Sequence, residues 1–230
     1  MFSSFDLDVI RRSLRYLVFD GMTFTLTLTG LAALGGLVFG TLIALMRLSG
    51  FKWLGRIAAL YVDLMRSLPL VLVIFWFYFL VPYIGQWLTG SSRPVRVGAF
   101  TSSLVTFILF EAAYFSEIMR AGIQSISKGQ PAAAQALGLT YSQTMRYVVL
   151  PQAFRNMLPV LLTQTIVLFQ DTSLVYVLSI PDFLGAASKV AQRDGRLVEM
   201  YLFAAVVYFV MSSAASFGVR RLQTRIAYVH

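Results

Sequence analysis

Ionisable and amide side chains set within apolar runs are the first residues here that could do chemistry, because a charge held in lipid is costly and is kept for a reason. Glu111, Glu117 and Asp171 fall in such runs. Asn156, Thr163 and Gln170 recur every seven residues, with Gln164 and Asp171 one position further round. On a helix they span an arc of about 120° at roughly 100° per residue. That arc faces protein or a water-filled path, either as a hydrogen-bonded seam between helices or as a surface touched by a polar solute. Glu117 and Arg120 are three apart, as are Asp63 and Arg66, and such pairs also form plain local ion pairs. An anionic solute needs cations or hydrogen-bond donors, which Arg66, Gln164, Gln170 and Thr172 offer.

Other chemistries drop out. The chain has no cysteine, so thiolate nucleophiles, thiolate metal sites and disulfides are excluded. Its single histidine is the last residue, His230. An intramembrane enzyme using Glu111, Glu117 or Asp171 would therefore lack a His or Cys partner for proton transfer. Gly50 to Ile57, GFKWLGRI, has the glycine spacing of a phosphate loop but Arg and Ile where Lys and Ser or Thr are required. Any energy from ATP must enter through another chain.

The elements that position these residues follow from composition. Of 230 residues 58% are hydrophobic and 13% charged, against roughly 25% charged in a soluble domain. Gly21 to Met46, Ser67 to Ser92 and Met200 to Val219 contain no charged residue, and each reaches the roughly 20 residues that cross a bilayer. The sequence predicts an all-α integral membrane protein with spans near residues 21–46, 67–85, 98–119, 153–178 and 198–219. The net charge of +9 sits mainly beside these runs, where cations meet headgroups, and does not point to nucleic acid. The first apolar run is too long for a cleavable export signal.

Before it, Phe5 to Phe19 is amphipathic, with Leu7, Ile10, Leu14 and Leu17 at helical spacing, and is expected to lie along the membrane surface. Thr23, Thr25, Thr27 and Thr29 alternate like a strand, but a lone strand in lipid would leave its backbone unpaired, so helix is expected. Ala32, Gly36, Gly40 and Ala44 share one face and allow close approach of a neighbouring helix, in this chain or in a second one. With five spans the termini lie on opposite sides. An outer amino terminus and inner carboxyl terminus put most Lys and Arg inside.

Residues 121–152 form the longest polar connection. Pro131 suits the start of a short helix, Ala132 to Leu137 continue it, and Gly138 supplies the left-handed residue that stops it. Thr140 can cap a second helix running toward Leu150, and Pro151 marks the next expected break. So short a helix cannot persist alone in water. Its small apolar face of Ala132, Ala133, Ala136 and Leu137 fits a groove on a cytoplasmic partner or on its own bundle.

The stretch AAAQALGLTYSQTMRYVVLP, Ala132 to Pro151, resembles the cytoplasmic E-A-A loop of permease subunits in binding-protein-dependent ABC importers. That pattern is E-A-A, three residues, Gly, nine residues, Ile, one residue, Leu-Pro. Gly138, Leu150 and Pro151 match it, Val148 stands for Ile, and Ala132 replaces the usual Glu. The literal Glu111-Ala112-Ala113 is a decoy, since Glu117 sits where its glycine would be. The resemblance continues through Arg66 to Tyr78, Phe110 to Gln130 and Leu161 to Ser179, and is similar to the polar amino-acid permease family, in its acidic amino-acid branch.

The resemblance implies a type I ABC importer permease-like bundle forming one domain over residues 1–230, with an amphipathic segment at 1–20 and a coupling loop at 121–152. It implies import of glutamate or aspartate, with glutamine, histidine or Lys/Arg as alternatives. It also implies a second homologous permease subunit, two copies of a cytoplasmic ABC ATPase that hold ATP and Mg, a periplasmic amino-acid-binding protein, and a place in the bacterial inner membrane. No cofactor is expected on this chain. An ion-gradient-driven secondary transporter would show paired repeats with matching broken helices, and none is found.

Overall fold

The computed structural model describes residues 6–226. Among them the chain is helical, without strands: α1 (Asp8–Leu48), α2 (Lys52–Ser67), α3 (Leu70–Thr89), α4 (Ala99–Gln124), α5 (Gly129–Ala136), α6 (Tyr141–Leu178), α7 (Phe183–Asp194) and α8 (Leu197–Ile226). Helices α1, α3, α4, α6 and α8 are long and apolar enough to cross a bilayer.

Helix α4 is the most buried of these and pairs most extensively with α1. The two run parallel, from an edge-on contact of Phe24 with Phe100 to an ion pair of Arg47 with Glu117 at the other end. Small residues permit this closeness. A Cβ on Gly36 would stand 2.9 Å from Glu111 Cβ, and one on Gly40 2.9 Å from Phe115 Cβ and 3.0 Å from the Ala112 carbonyl oxygen. The stripe of Ala32, Gly36, Gly40 and Ala44 is thus spent inside the subunit, all four residues buried.

The amphipathic beginning does not turn aside to lie separately. Asp8–Leu48 is one unbroken helix, carried through a π-helical stretch at Leu17–Met22. Val9, Ser13 and Leu17 are buried, with Val9, Leu17 and Met22 in a cluster with Phe183, Ala186 and Met200. Of the residues that set its apolar spacing, Leu17 is buried and Ile10 packs against this cluster, while Leu7 and Leu14 stay exposed. Phe5 lies outside the described residues.

Two helices were not expected from the sequence. Helix α2 carries Lys52, Arg56, Asp63 and Arg66 among its apolar positions, so it lacks the charge-free run that marks a span. It ends at Leu68 and Pro69, both extended, because the proline ring drives the preceding residue out of the helical region. Helix α7 is capped by Asp182, whose carboxylate accepts from the backbone N–H groups of Leu184 at 3.0 Å and Gly185 at 2.9 Å. The Phe183 N–H donates to Thr25 Oγ1 at 3.0 Å and so ties α7 to α1. At the end of α7, Asp194 meets Arg12 and Arg193, and the Arg193 guanidinium holds its carboxyl below the usual range.

Pro151 does not break α6. A π-helical stretch at Met145–Val149 loosens the ladder just before it, and the Gln152 amide donates to the Val148 carbonyl at 2.8 Å. Helix α3 handles Pro82 in the same way, with a π-helical stretch at Trp76–Leu80. A proline removes one ladder bond and crowds the preceding turn, and the wider turn relieves both.

If the glycine contact holds α1 to α4, Gly40→Val should cost about 1–3 kcal/mol by overpacking. Gly30→Val makes the same change where a Cβ meets nothing within 4 Å. Thermal unfolding in detergent should show a lower Tm for Gly40→Val only; equal Tm values would remove the contact from the account.

Candidate functional site

Two groups of residues remain after packing is accounted for. The first is the turn around α5. Ala134 is buried against the π-helical start of α6, which leaves Ala132, Ala133, Ala136 and Leu137 on the outward side. Leu137 is 82% exposed, far more than a leucine needs to be, and Gly138 beside it holds φ +88°. The Gly138 N–H bonds the Gln135 carbonyl at 2.9 Å and the Leu139 N–H bonds Ala134 at 3.1 Å, closing the helix end. Thr140 then forms a reciprocal cap with Gln143. Pro131 is half-buried in the first turns of α5, while Leu150 and Pro151 are exposed at the base of the turn. A cleft of about 750 Å³ lies behind, lined by Gln130, Tyr147, Pro151, Gln152, Arg155 and Asn156.

Chemistry of the chain explains why the turn protrudes yet is held. The Asn156 amide donates to Ser125 Oγ at 2.9 Å, joining α6 to the end of the segment that leads into α5. Nearby, Glu117 takes ion pairs from both Arg47 and Arg120, and Arg120 reaches Gln124. Glu117 is thus placed at this end of the α1–α4 pair, away from the middle of the bundle.

The second group lies on the α4–α6 seam. Glu111 is fully buried, and Gln164 Nε2 stands 3.3 and 3.2 Å from its two carboxylate oxygens. Asp171 is half-buried two turns along α6 on the same face as Gln164. Neither carboxylate has an ion-pair partner among the described residues. Gln170 turns the other way and donates to Ser212 Oγ on α8 at 3.0 Å. Thr172 is buried, its hydroxyl donating to the Phe169 carbonyl at 2.8 Å. The hydroxyl of Thr163 bonds its own helix at Pro159. Arg66 is exposed at the break between α2 and α3 and lies over the Tyr114 ring, 5.5 Å from its centre. It makes no ion pair with Asp63 among the described residues.

Of the four donors named from the sequence, Gln164, Gln170 and Thr172 are engaged within the chain and Arg66 rests on an aromatic face. Sequence reasoning missed the roles of Ser125 and Ser212 as partners, because isolated serines carry no spacing signal. The break at Leu68–Pro69 was legible in the Leu-Pro dipeptide but was absorbed into an apolar run.

This bundle, with an exposed small-residue turn and polar groups on broken or proline-bearing helices, was compared with known proteins. Residues 36–228 match the family described as binding-protein-dependent transport system inner membrane component. The chain belongs to that family. It is 53% identical over 223 residues to the glutamate/aspartate import permease protein GltK of Escherichia coli, covering 97% of this chain and 99% of that one. It is 35% identical to the probable glutamine ABC transporter permease protein GlnM of Bacillus subtilis, covering 90% and 92%. A crystal structure of an amino acid ABC transporter with histidines superposes with a TM-score of 0.86 at 32% identity, covering 98% of this chain and 100% of that chain. The MetNI methionine ABC transporter in an inward-facing conformation shares the fold, with a TM-score of 0.74 at 18% identity, over 93% and 97%. The chain is therefore a membrane transport component, and the five long helices are its spans.

In this setting the Glu111–Gln164 contact can be measured. Gln164→Leu strands the carboxyl and should cost about 1 kcal/mol or more. Adding Glu111→Gln to Gln164→Leu should recover less than replacing both by apolar residues. A thermal-shift series in which Gln164→Leu leaves Tm unchanged would show that the contact holds nothing.

Proposed function

We propose that this chain is a permease subunit of an ATP-driven importer of glutamate and aspartate. The observation that carries the reading is its near full-length likeness to a glutamate/aspartate import permease, at 53% identity against 35% for a glutamine relative. A second homologous permease completes the path, a periplasmic binding protein delivers the amino acid, and two copies of a cytoplasmic ABC ATPase hold ATP and Mg. The chain spans the bacterial inner membrane with its amino terminus outside and the 121–152 segment inside.

On this reading the turn of Pro131, Ala132, Ala133, Ala136, Leu137 and Gly138 is the handle that the ATPase grips, with Leu150 and Pro151 at its root. Its outward apolar face and buried Ala134 support that role, because the protruding side makes few contacts with its own bundle. Ala132 in place of the usual Glu removes one charged contact and leaves shape and apolar area to carry the docking. The ATPase must hold this turn differently in its two states, since equal grip in both shifts nothing. Motion then reaches α4 through Ser125 and α6 through its π-helical start. In the membrane, Arg66, Glu111, Gln164, Gln170, Asp171 and Thr172 are the polar groups along which an amino acid passes, while Glu117 braces the inner end.

Reconstitution with binding protein, ATPase and second permease tests the reading directly. ATPase stimulation and uptake should respond to glutamate and aspartate and fail with glutamine, histidine, lysine and arginine. Gly138→Asp should insert in the membrane normally, because a Cβ there meets nothing within 4 Å and Asp is among the few residues that visit the left-handed region Gly138 occupies at φ +88°. It should nevertheless abolish uptake by filling the docked turn. Normal uptake by this variant would contradict the docking role, and uptake that survives ATP removal but follows an ion gradient would replace the ABC reading with a secondary transporter.

A further inference from the structure

At the end of α1 opposite Arg47 the helix carries Arg11, Arg12 and Arg15 within five positions. On the topology proposed above this is the outer side, where cations beside a span run against the bias that gathers Lys and Arg on the cytoplasmic side. Arg12 meets Asp194 at 3.2 Å, a carboxylate it shares with Arg193. Arg11 and Arg15 make no ion pair among the described residues. Arg12 and Arg15 share a helical face with Tyr16, Phe19 and Asp20, and these five line a cavity of about 530 Å³. With Arg12 engaged, the cavity offers one cation, Arg15, and one carboxylate, Asp20, that have no charged partner among the described residues.

Depth restricts what can reach it. Arg47 closes the inner end of α1 with Glu117 and Arg120 nearby. At about 1.5 Å per residue, Asp20 and Arg15 stand about 40 and 48 Å along the helix from Arg47. A bilayer with its headgroups measures about 40–45 Å, so the two charges bracket the outer headgroup layer. One wall of the cavity is apolar: Phe19 is 71% exposed. The same face continues inward through Thr23, Leu26 and Gly30, all exposed, and a Cβ on Gly30 would meet nothing within 4 Å. A ligand that satisfies this cavity carries both signs of charge at headgroup depth and ends in hydrocarbon. A phosphate with no cation attached leaves Asp20 unanswered, and a free zwitterion leaves Phe19 uncovered.

We propose that this cavity binds the headgroup of a phospholipid bearing a primary ammonium, of the phosphatidylethanolamine kind, in the outer leaflet. The Arg15 guanidinium donates to the phosphate oxygens, a geometry its planar fork suits. The ammonium donates to the Asp20 carboxylate, and an acyl chain runs past Phe19 toward Leu26. The proposal rests on the orientation given above and adds a lipid site that pairs the two charges left over on this face.

The test places the assembled importer in phosphatidylglycerol nanodiscs with a trace of phosphatidylethanolamine that carries a diazirine on its acyl chain. After irradiation, mass spectrometry of the digested chain should find the adduct between Phe19 and Gly30. Unlabelled phosphatidylethanolamine should compete it away, and further phosphatidylglycerol should not. Arg15→Ala should weaken labelling about two- to fivefold, as expected for one exposed ion pair. Arg11→Ala removes the same charge from the same exposed stretch but outside the cavity, and should leave labelling unchanged. Asp20→Asn should erase the preference for phosphatidylethanolamine over phosphatidylglycerol. Equal competition by the two lipids in the unaltered chain would overturn the proposal, as would equal labelling of Arg15→Ala and Arg11→Ala. Soluble phosphoethanolamine competing as well as the lipid would make this a site for a free zwitterion and would overturn it too. Orientation is read separately, because the chain has no native cysteine. Arg11→Cys should react with a membrane-impermeant maleimide in spheroplasts; reaction only in inverted vesicles would overturn the orientation and leave the adduct pattern to decide the headgroup site.

Discussion

In hydrocarbon a polar group that lacks a partner has no water to fall back on, and this constraint organises nearly every local feature of the chain. Threonine hydroxyls turn back onto their own helices. Beside Pro151 the Gln152 side-chain amide donates to the Val148 carbonyl, and π-helical stretches precede both Pro82 and Pro151 so that neither ring breaks its span. Glu111 is tolerated at the most crowded helix contact because Gln164 faces it from α6. The close approach of α1 to α4, enabled by Gly36 and Gly40, and the amide from α6 act on the same residue from two sides. Packing and polar satisfaction are thus one problem at this point in the bundle.

Three of the spans were legible in the sequence because charge-free apolar runs of sufficient length have few other outcomes in water or lipid. The α5 turn was legible for a different reason: Pro131, Gly138 and Thr140 each impose a backbone state that neighbours cannot undo. What the sequence did not reveal depended on contacts distant in the chain. Leu7, Ile10, Leu14 and Leu17 read as a membrane-surface face, but the side that packs is that of Val9, Ser13 and Leu17, with Val9 and Leu17 clustered with Phe183 and Met200. Helix α7 follows a Pro-Asp start and a Gly195 stop, but its alternation of small and polar residues has no apolar run to mark it, and only burial against α1 and α8 fixes it. The same limitation applied to the α4–α6 seam, where helical phase placed Gln164 and Asp171 together but could not say which neighbour they met.

The two ends of the bundle are built differently. At one end the pairs Arg12–Asp194 and Asp6–Arg196 tie the start of α1 to the α7–α8 turn, with Arg193 and Glu199 paired locally beside them. At the other, Arg47, Glu117 and Arg120 brace α1 and α4, while the α5 turn beside them is fastened by one buried alanine and its own backbone caps. On the proposed reading, a segment gripped by an outside partner is well served by this arrangement. Its own shape is fixed locally by Gly138 and Thr140, so it can travel as a unit, while its attachment to the bundle is light.

The internal engagement of the polar groups has a consequence for how a solute could be handled. Gln164, Gln170 and Thr172 already donate to Glu111, Ser212 and Phe169, so none waits empty for a ligand. On the proposed reading, an amino acid passing these groups exchanges with those contacts, and the free energy it gains is the difference between its hydrogen bonds and the ones it displaces. Arg66 stands apart, because a ring face is a weaker partner for a guanidinium than a carboxylate, and it sits where Pro69 has opened the helix. A carboxylate arriving there exchanges a cation–π contact for a charged hydrogen bond. On the proposed reading, Arg66 at the end of α2 is the residue of this group at which an arriving carboxylate would replace the weaker partner.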